Sequence, residues 1–161
     1  VLMQPYIVQR DFYENPLGSV SDYKYDSNLI NNFLYLYGVW EISNESLIHG
    51  RETLNFEDHI ALKFCASTAN VVVGNNGKSN PYIINVKIDG SPVTEVNLGD
   101  DVFIAEDTNS YINVNENKMF NIFQSRTSHF DCYELQISSN SKNFSVFAFT
   151  FSPSSDYVEL Q

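Results

Sequence analysis

The sequence has few basic side chains. Nine Lys and Arg face twenty Asp and Glu, which leaves a formal net charge of −11 at pH 7. A surface this acidic repels phosphate backbones and anionic lipid headgroups, so it argues against a nucleic-acid partner and against docking on a charged membrane. Apart from these exclusions, the charge indicates only a well-solvated surface.

Long hydrophobic runs are also missing. No stretch approaches the ~20 apolar residues that a membrane-spanning helix needs, and no signal peptide is visible. With 161 residues the chain is long enough for one domain with its own core. Its start at Val1 suggests a fragment of a longer protein, with any anchor or targeting signal upstream.

Cysteine is scarce, with Cys65 and Cys132 as the two in the chain. They lie too far apart for a Cys-x-x-Cys redox motif and do not have the spacing of a zinc site. Both fall on the polar side of a predicted strand. A disulfide can form if those two strands are neighbours, and two free thiols are an equally good interpretation.

Motifs that carry catalysis are absent from the sequence. There is no Gly-x-Ser-x-Gly elbow and no glycine-rich phosphate loop. His49, His59 and His129 are isolated, whereas a zinc or catalytic role needs converging ligands or an adjacent nucleophile. We therefore expect surface or strand-edge histidines.

What the chain does contain is the pattern of an all-β fold. Aromatic residues make up 14% of it, and no segment shows a sustained helical apolar stripe. Residues 59–66 alternate polar and apolar side chains, and Asp89-Gly90 after Tyr82–Ile88 predicts a hairpin whose returning strand runs from Pro92 to Val96. About ten short strands with turns every ~8–12 residues favour a sandwich or a barrel.

Two stretches define the ends of the predicted sandwich. Residues 33–37 and 39–42 are expected to form its first hairpin, with Gly38 allowing a bulge or a close approach. In the last strand, Phe147, Phe149 and Phe151 are expected to share one face. We divide the chain into a packed lead-in segment, residues 1–32, and one β-sandwich domain, residues 33–161.

Aromatic side chains are the first candidates for ligand binding, because a ring packs well on the apolar face of a sugar. Trp40, the one tryptophan, is flanked by Gly38, Val39 and Ile42, which favours a place in the core. The ligand-binding candidates are therefore tyrosines near loops or strand ends, with the loops 75–81 and 99–110 around them: Tyr37, Tyr82 and Tyr111.

Acidic residues cluster between positions 100 and 107. Calcium takes several carboxylate and carbonyl oxygens, so Asp100, Asp101 and Asp107 are candidate ligands of a structural calcium ion. Their spacing does not match an EF-hand loop, which favours a solvated acidic loop without metal.

A series of short motifs runs in a fixed order through nearly the whole chain. Taken together, they resemble the domain that follows the thioredoxin-like domain at the C-terminus of DipZ-type thiol–disulfide proteins and related redoxins. The motifs are Tyr6-Ile7, Arg10 to Phe12, Asn32-Phe33-Leu34-Tyr35, Gly38-Val39-Trp40, Ile60-Ala61-Leu62-Lys63-Phe64, Val71-Val72-Val73-Gly74, Val86-Lys87-Ile88-Asp89-Gly90-Ser91-Pro92-Val93, Gly99-Asp100-Asp101-Val102, Ile112-Asn113-Val114 and Phe147-Ala148-Phe149-Thr150-Phe151.

The resemblance implies a jelly-roll sandwich of two antiparallel sheets, similar to carbohydrate-binding modules. It also implies a location outside the cytoplasm, periplasmic or at the cell surface. The implied partner is the protein's own upstream thioredoxin-like domain, a thiol–disulfide oxidoreductase. For this chain itself, the resemblance implies no catalytic residues.

We therefore expect a non-catalytic accessory module that binds a glycan or a protein surface and needs no cofactor. One alternative is a purely structural domain that packs on the redox domain and shapes substrate access. Another is a hydrolase built on a jelly roll, which requires two carboxylates, or a nucleophile and a base, converging in a cleft.

Overall fold

The computed structural model describes residues 6–7, 15–26, 28–127 and 131–152. These residues form thirteen strands and no helix, so the predicted all-β class is confirmed. Accordingly, the described part contains no helix that is long and apolar enough to cross a membrane. The strands are β1 Tyr6–Ile7, β2 Val20–Tyr23, β3 Phe33–Ile42, β4 Leu47–His49, β5 His59–Cys65, β6 Thr68–Gly74, β7 Tyr82–Ile88, β8 Ser91–Pro92, β9 Phe103–Ile104, β10 Ser110–Val114, β11 Lys118–Gln124, β12 Cys132–Ser138 and β13 Ser145–Ser152.

The strands divide into two sheets that share β3. In the A sheet the order is β3-β5-β12-β7-β10-β9, and in the B sheet it is β3-β4-β13-β6-β11. Neighbouring strands in both orders are antiparallel. Three short strands are added outside these orders: β1 pairs with β3 in parallel, whereas β2 pairs with β3 and β8 pairs with β7 in an antiparallel arrangement. The chain changes sheet at most steps from β4 onward, an arrangement compatible with the predicted jelly roll.

Gly38 marks the point where β3 passes from the A sheet to the B sheet. Residues Leu34 to Tyr37 pair with β5, whereas the residues from Gly38 onward pair with β2 and β4. The φ angle of Gly38 is 92°, a conformation that glycine adopts without a steric penalty. The predicted hairpin over residues 33–42 is wrong, because Gly38 redirects the strand without reversing it.

The core lies between the two sheets and is rich in aromatic rings. Trp40 is fully buried, and its Nε1 donates a hydrogen bond to the Tyr37 carbonyl oxygen at 2.9 Å. Its core position, predicted from the sequence, is confirmed. Phe64 of the A sheet stacks on Phe151 of the B sheet with ring centroids 5.1 Å apart, so the inner faces of the two sheets are in contact.

The hairpin predicted at Asp89-Gly90 is confirmed, but its returning strand is short. Both residues have positive φ angles, 51° and 79°, as a type I′ turn requires. The strand β8 ends at Pro92 and does not continue to Val96. Val96 instead lies in an exposed turn.

A β-bulge changes which side chains of β13 point inward. The register opposite β6 shifts between Val146 and Ala148. Consequently Val146, Phe149 and Phe151 are buried while Phe147 is 42% exposed. The prediction that Phe147 shares a face with the other two phenylalanines is wrong, because one extra residue reverses the alternation.

The predicted lead-in, residues 1–32, lies partly outside the described residues. Its described part contributes β1 and β2, both paired with β3. Tyr25 packs on Tyr35 with ring centroids 5.3 Å apart, and the Ile30 N–H donates to the Tyr35 hydroxyl at 2.9 Å. These contacts cover the face of β3 that points away from the core.

Candidate binding face

Side chains on the face of the A sheet that points away from the core form one continuous row, here called the outer row. Its members lie directly opposite one another on six neighbouring strands, and opposed residues of antiparallel strands share a face. Because neighbouring strands lie about 4.8 Å apart, the row spans roughly 24 Å. In strand order it comprises Tyr37, His59, Ser138, Asn85, Tyr111 and Phe103.

One end of the outer row is an aromatic cluster. Tyr37 and His59 stack with ring centroids 5.0 Å apart and an interplanar angle of 10°. Tyr25 meets both rings edge-on, and its hydroxyl lies 2.7 Å from His59 Nε2. Tyr37 is 39% exposed, so this end presents a tyrosine ring to solvent.

Burial disfavours the charged forms of His59 and Tyr25 in this cluster. Burial lowers the pKa of His59, and the charge of Lys87 lowers it further. A hydrogen bond to the Glu57 backbone and the charge of Asp58 raise this pKa, but they do not outweigh the burial. Burial, followed by the charge of Glu134, raises the pKa of Tyr25 to about 12. With the neutral imidazole donating to Glu57, the Tyr25 hydroxyl donates to Nε2.

The other end of the row is also aromatic. The Tyr111 ring lies between Phe103, at 5.9 Å, and Phe56, at 6.0 Å between centroids. Its hydroxyl donates to Asp107 Oδ2 at 2.8 Å. Hydrogen bonds from Asn109 and Tyr111 hold the pKa of Asp107 below its usual range, so Asp107 is a stable acceptor that orients the tyrosine.

A cavity of about 200 Å³ lies along the outer row and extends from Tyr111 to Ser138. Ser138 is paired with His59, the next member of the row. The lining of the cavity offers side-chain amides, two hydroxyls and one ammonium group, and none of the lining residues carries a carboxylate. Such a lining can donate to and accept from a neutral polar ligand. The lining residues are Asn55, Phe56, Asn85, Lys87, Asn109, Tyr111, Gln136 and Ser138.

The structure brings two of the three predicted ligand-binding tyrosines to this face. Tyr37 and Tyr111 belong to opposite ends of the outer row. Tyr82 lies elsewhere: it is buried, and its hydroxyl donates to the Gly74 carbonyl oxygen at 2.6 Å. Burial raises the pKa of this phenol. Of the two predicted binding loops, 99–110 supplies Asn109 to the cavity, and 75–81 supplies none of its lining.

Two of the three predicted calcium ligands, Asp101 and Asp107, use their carboxylates in local hydrogen bonds, whereas Asp100 is bound through its backbone N–H. Asp101 accepts from the Asn121 N–H at 2.7 Å and lies 3.8 Å from Lys118 Nζ. The Asp100 N–H donates to the Asn121 side chain at 2.7 Å, and Asp107 holds Tyr111. Within the described ranges, no three His, Cys, Asp or Glu side chains form a group that could hold a metal ion.

Most of the polar residues of this face were not singled out from the sequence. Asn85 and Lys87 point outward from β7, and Gln136 points outward from β12. The alternation of side chains predicts these orientations within each strand, but it does not predict that the strands are neighbours. That these strands are neighbours depends on pairings between distant segments, since β12 lies between β5 and β7. The sequence carries no local signal for that order.

An ionic cluster around the buried Asp58 was also missed. Arg51 binds Asp58 through two hydrogen bonds, from Nε at 2.8 Å and Nη2 at 2.6 Å. His49 Nε2 lies 2.9 Å from Asp58 Oδ2, and His49 Nδ1 lies 2.9 Å from the Ser141 carbonyl oxygen. The sequence predicted surface or strand-edge histidines; a surface position is wrong for His49, which is 1% exposed and ends β4, and His129 lies outside the described residues.

This cluster fixes the crossing of β3 between the sheets. Burial acts to raise the pKa of Asp58, but hydrogen bonds from Arg51, His49 and the Val39 backbone outweigh it and hold the pKa below its usual range. A Cβ atom on Gly38 would overlap the Asp58 carboxylate. The close approach predicted at Gly38 is therefore confirmed, and its partner is Asp58.

The two cysteines form a disulfide. Cys65 ends β5, Cys132 begins β12, and the two residues are opposed in the register with a Cα–Cα distance of 3.9 Å. Of the two alternatives that the sequence left open, the structure has the disulfide.

Comparison with known protein families finds a match over most of the chain. A family model described as "Thioredoxin like C-terminal domain" matches residues 9–152, nearly the whole chain. No curated protein matches the sequence. The family match agrees with the resemblance drawn from the motif order.

Proposed function

The chain belongs to the thioredoxin-like C-terminal domain family, and from this premise we propose that it is a non-catalytic accessory module that binds carbohydrate on the outer face of the A sheet. The family's name sets such domains behind a thioredoxin-like domain, which we take as the partner in the same protein. The module would hold that redox domain close to a glycan-bearing surface.

The observation that carries this proposal is the polar cavity flanked by aromatic ends. Sugar hydroxyls pair with amides and hydroxyls; Asn109 and Gln136 supply half-buried amides, while Asn85 and Ser138, which also line the cavity, are only 5% and 1% exposed. The apolar face of a sugar ring packs on an aromatic ring such as Tyr111. These side chains provide donors and acceptors themselves, so the proposed binding needs no cofactor.

Two further features support a non-catalytic, extracytoplasmic module. None of the residues that line the cavity is Asp or Glu, whereas hydrolysis of a glycosidic bond requires a pair of carboxylates at the site. Disulfides persist mainly in oxidising compartments, and Cys65–Cys132 is one. We therefore propose that the domain works outside the cytoplasm.

A glycan array followed by calorimetric titration tests the proposal. We expect the 161-residue chain to bind at least one neutral oligosaccharide, and Tyr111→Ala to weaken that binding about tenfold or more, as truncation of an aromatic anchor does. Phe147→Ala is the matched control, because Phe147 is an exposed aromatic residue of the other sheet. No binding by the unchanged chain, or equal weakening by both variants, would contradict a carbohydrate site on this face.

An apolar strip favours a second candidate function, a structural one. Val96 is 61% exposed and Ile104 is 40% exposed, and both line an open cavity of about 510 Å³ beside Pro92 and Val93. Exposed apolar patches mark protein contact sites. If the domain only packs on its redox partner, Val96→Ser should weaken binding to a thioredoxin-like domain supplied in trans, while Tyr111→Ala should leave it unchanged.

A further inference from the structure

The disulfide lies at the margin of the A sheet and is open to solvent. Cys132 is exposed and Cys65 is half-buried. Both alternate in phase with the outward residues Lys63 and Glu134, so the bond lies on the same face as the outer row. Buried structural disulfides are shielded from thiols, whereas exposed ones are those that exchange.

The position of the bond separates it from the core. It joins the last residue of β5 to the first residue of β12, and the six register pairs that follow it hold the two strands together without it. The inward residues Phe64 and Leu135 are buried independently of the bond. Opening the disulfide would therefore leave the sandwich folded.

We propose that Cys65–Cys132 is a site of thiol–disulfide exchange, and that the domain is thereby a substrate of a dithiol protein with a Cys-x-x-Cys-type pair. This inference does not depend on carbohydrate binding. A thiolate of the dithiol protein attacks the Sγ of Cys132, the more exposed of the two residues, to form a mixed disulfide, and the Cys65–Cys132 bond breaks. Cys65 leaves as a thiolate and takes a proton from water.

The second thiol of the dithiol protein completes the exchange. It attacks the mixed disulfide, forms a disulfide within the dithiol protein and releases Cys132, which also takes up a proton. Two electrons pass from the dithiol to the domain, and the reverse sequence reoxidises it. A thioredoxin-like domain in the same protein is a dithiol partner of the required class.

Trapping the mixed disulfide tests this proposal. The oxidised chain is incubated with a thioredoxin-type protein whose second active-site cysteine is replaced by serine, and the covalent complex is mapped by mass spectrometry. We expect a complex linked through Cys132. With the intact dithiol protein, we expect loss of the bond at comparable rates in native buffer and in denaturant, with Trp40 fluorescence unchanged in native buffer. Cys65→Ser/Cys132→Ser serves as the control and should form no complex.

Three outcomes would overturn the inference. Reduction in denaturant alone would mean that the folded domain shields the bond. Loss of the native Trp40 fluorescence on reduction would mean that the domain unfolds once the bond opens, so that the bond could not be exchanged in a folded domain. A complex linked through Cys65 would refute the assigned point of attack.

Discussion

Replacing Gly38 with alanine tests the link between the crossing of β3 and the ionic cluster around the buried Asp58. The added Cβ would overlap the carboxylate of Asp58, which is fully buried. Asp58 would have to move away from Arg51 and His49, its two side-chain partners. The variant should therefore lose the cluster although none of its members is changed.

The expected loss has two parts. An alanine forced to a positive φ costs roughly 1–2 kcal/mol. Moving the buried Asp58 carboxylate away from its partners costs up to about 3 kcal/mol more, the low end of the range for a buried charge pair, because Arg51 is half exposed. Gly77→Ala is the matched control, because Gly77 has a φ of 72° and a Cβ added there would meet no atom within 4 Å. Gly77→Ala should therefore lose only the free energy that the strained backbone costs.

Urea unfolding followed by Trp40 fluorescence measures both variants, since Trp40 is the one tryptophan and is buried. In addition, a double-mutant cycle with Asp58→Gly separates the two parts, because the Asp58 Cβ would itself lie only 2.7 Å from the added Cβ and must also be removed. Once Asp58 is absent, Gly38→Ala should cost only about the 1–2 kcal/mol of backbone strain. Equal losses for Gly38→Ala and Gly77→Ala would refute the reasoning.

Three further predictions concern the disulfide, the pH dependence and a buried hydroxyl. Cys65→Ser/Cys132→Ser should lower the free energy of unfolding by about 4 kcal/mol in urea titrations, since the bond closes a loop with a sequence separation of 67; no change would argue against the bond. Because the pKa of Asp58 is lowered in the fold, its carboxylate stabilises the domain above the pKa of the unfolded state, about 4, and this stabilisation is lost as the pH falls through the pKa of the folded state. The free energy of unfolding measured across acidic pH should therefore depend less on pH in Asp58→Asn. Tyr82→Phe should cost about 1–3 kcal/mol in thermal unfolding, because it leaves the buried Gly74 carbonyl without its donor, and a neutral effect would contradict that hydrogen bond.

The sequence predicted those features that depend on neighbours along the chain. Alternation placed Ile60, Leu62 and Phe64 of β5 inside the sandwich, and Asp89-Gly90 gave the hairpin its turn. Side-chain period and turn chemistry act over about two to four residues, so they can be seen in one sequence.

Features that depend on distant segments were missed or misassigned. The bulge at Val146–Ala148 is defined against β6, a strand far away along the chain, and it reversed the expected orientation of Phe147. The hairpin expected around Gly38 failed for a similar reason, because the approach of Asp58 and the pairing with two sheets decide the course of β3. The outer row could be predicted only strand by strand, since its members meet through the order of the sheet.

The sharing of β3 has a consequence for how the domain opens. A sandwich whose sheets are joined only by loops can lose one sheet's hydrogen bonds while the other sheet persists. Here the amides of one strand belong to both ladders, with Trp40 packed just beyond the crossing. Sub-global opening of either sheet must therefore disturb the other, and β3 should be among the slowest segments to exchange its amide hydrogens. Such coupling would let an event at one sheet, such as ligand binding or docking, change the protection of the opposite sheet.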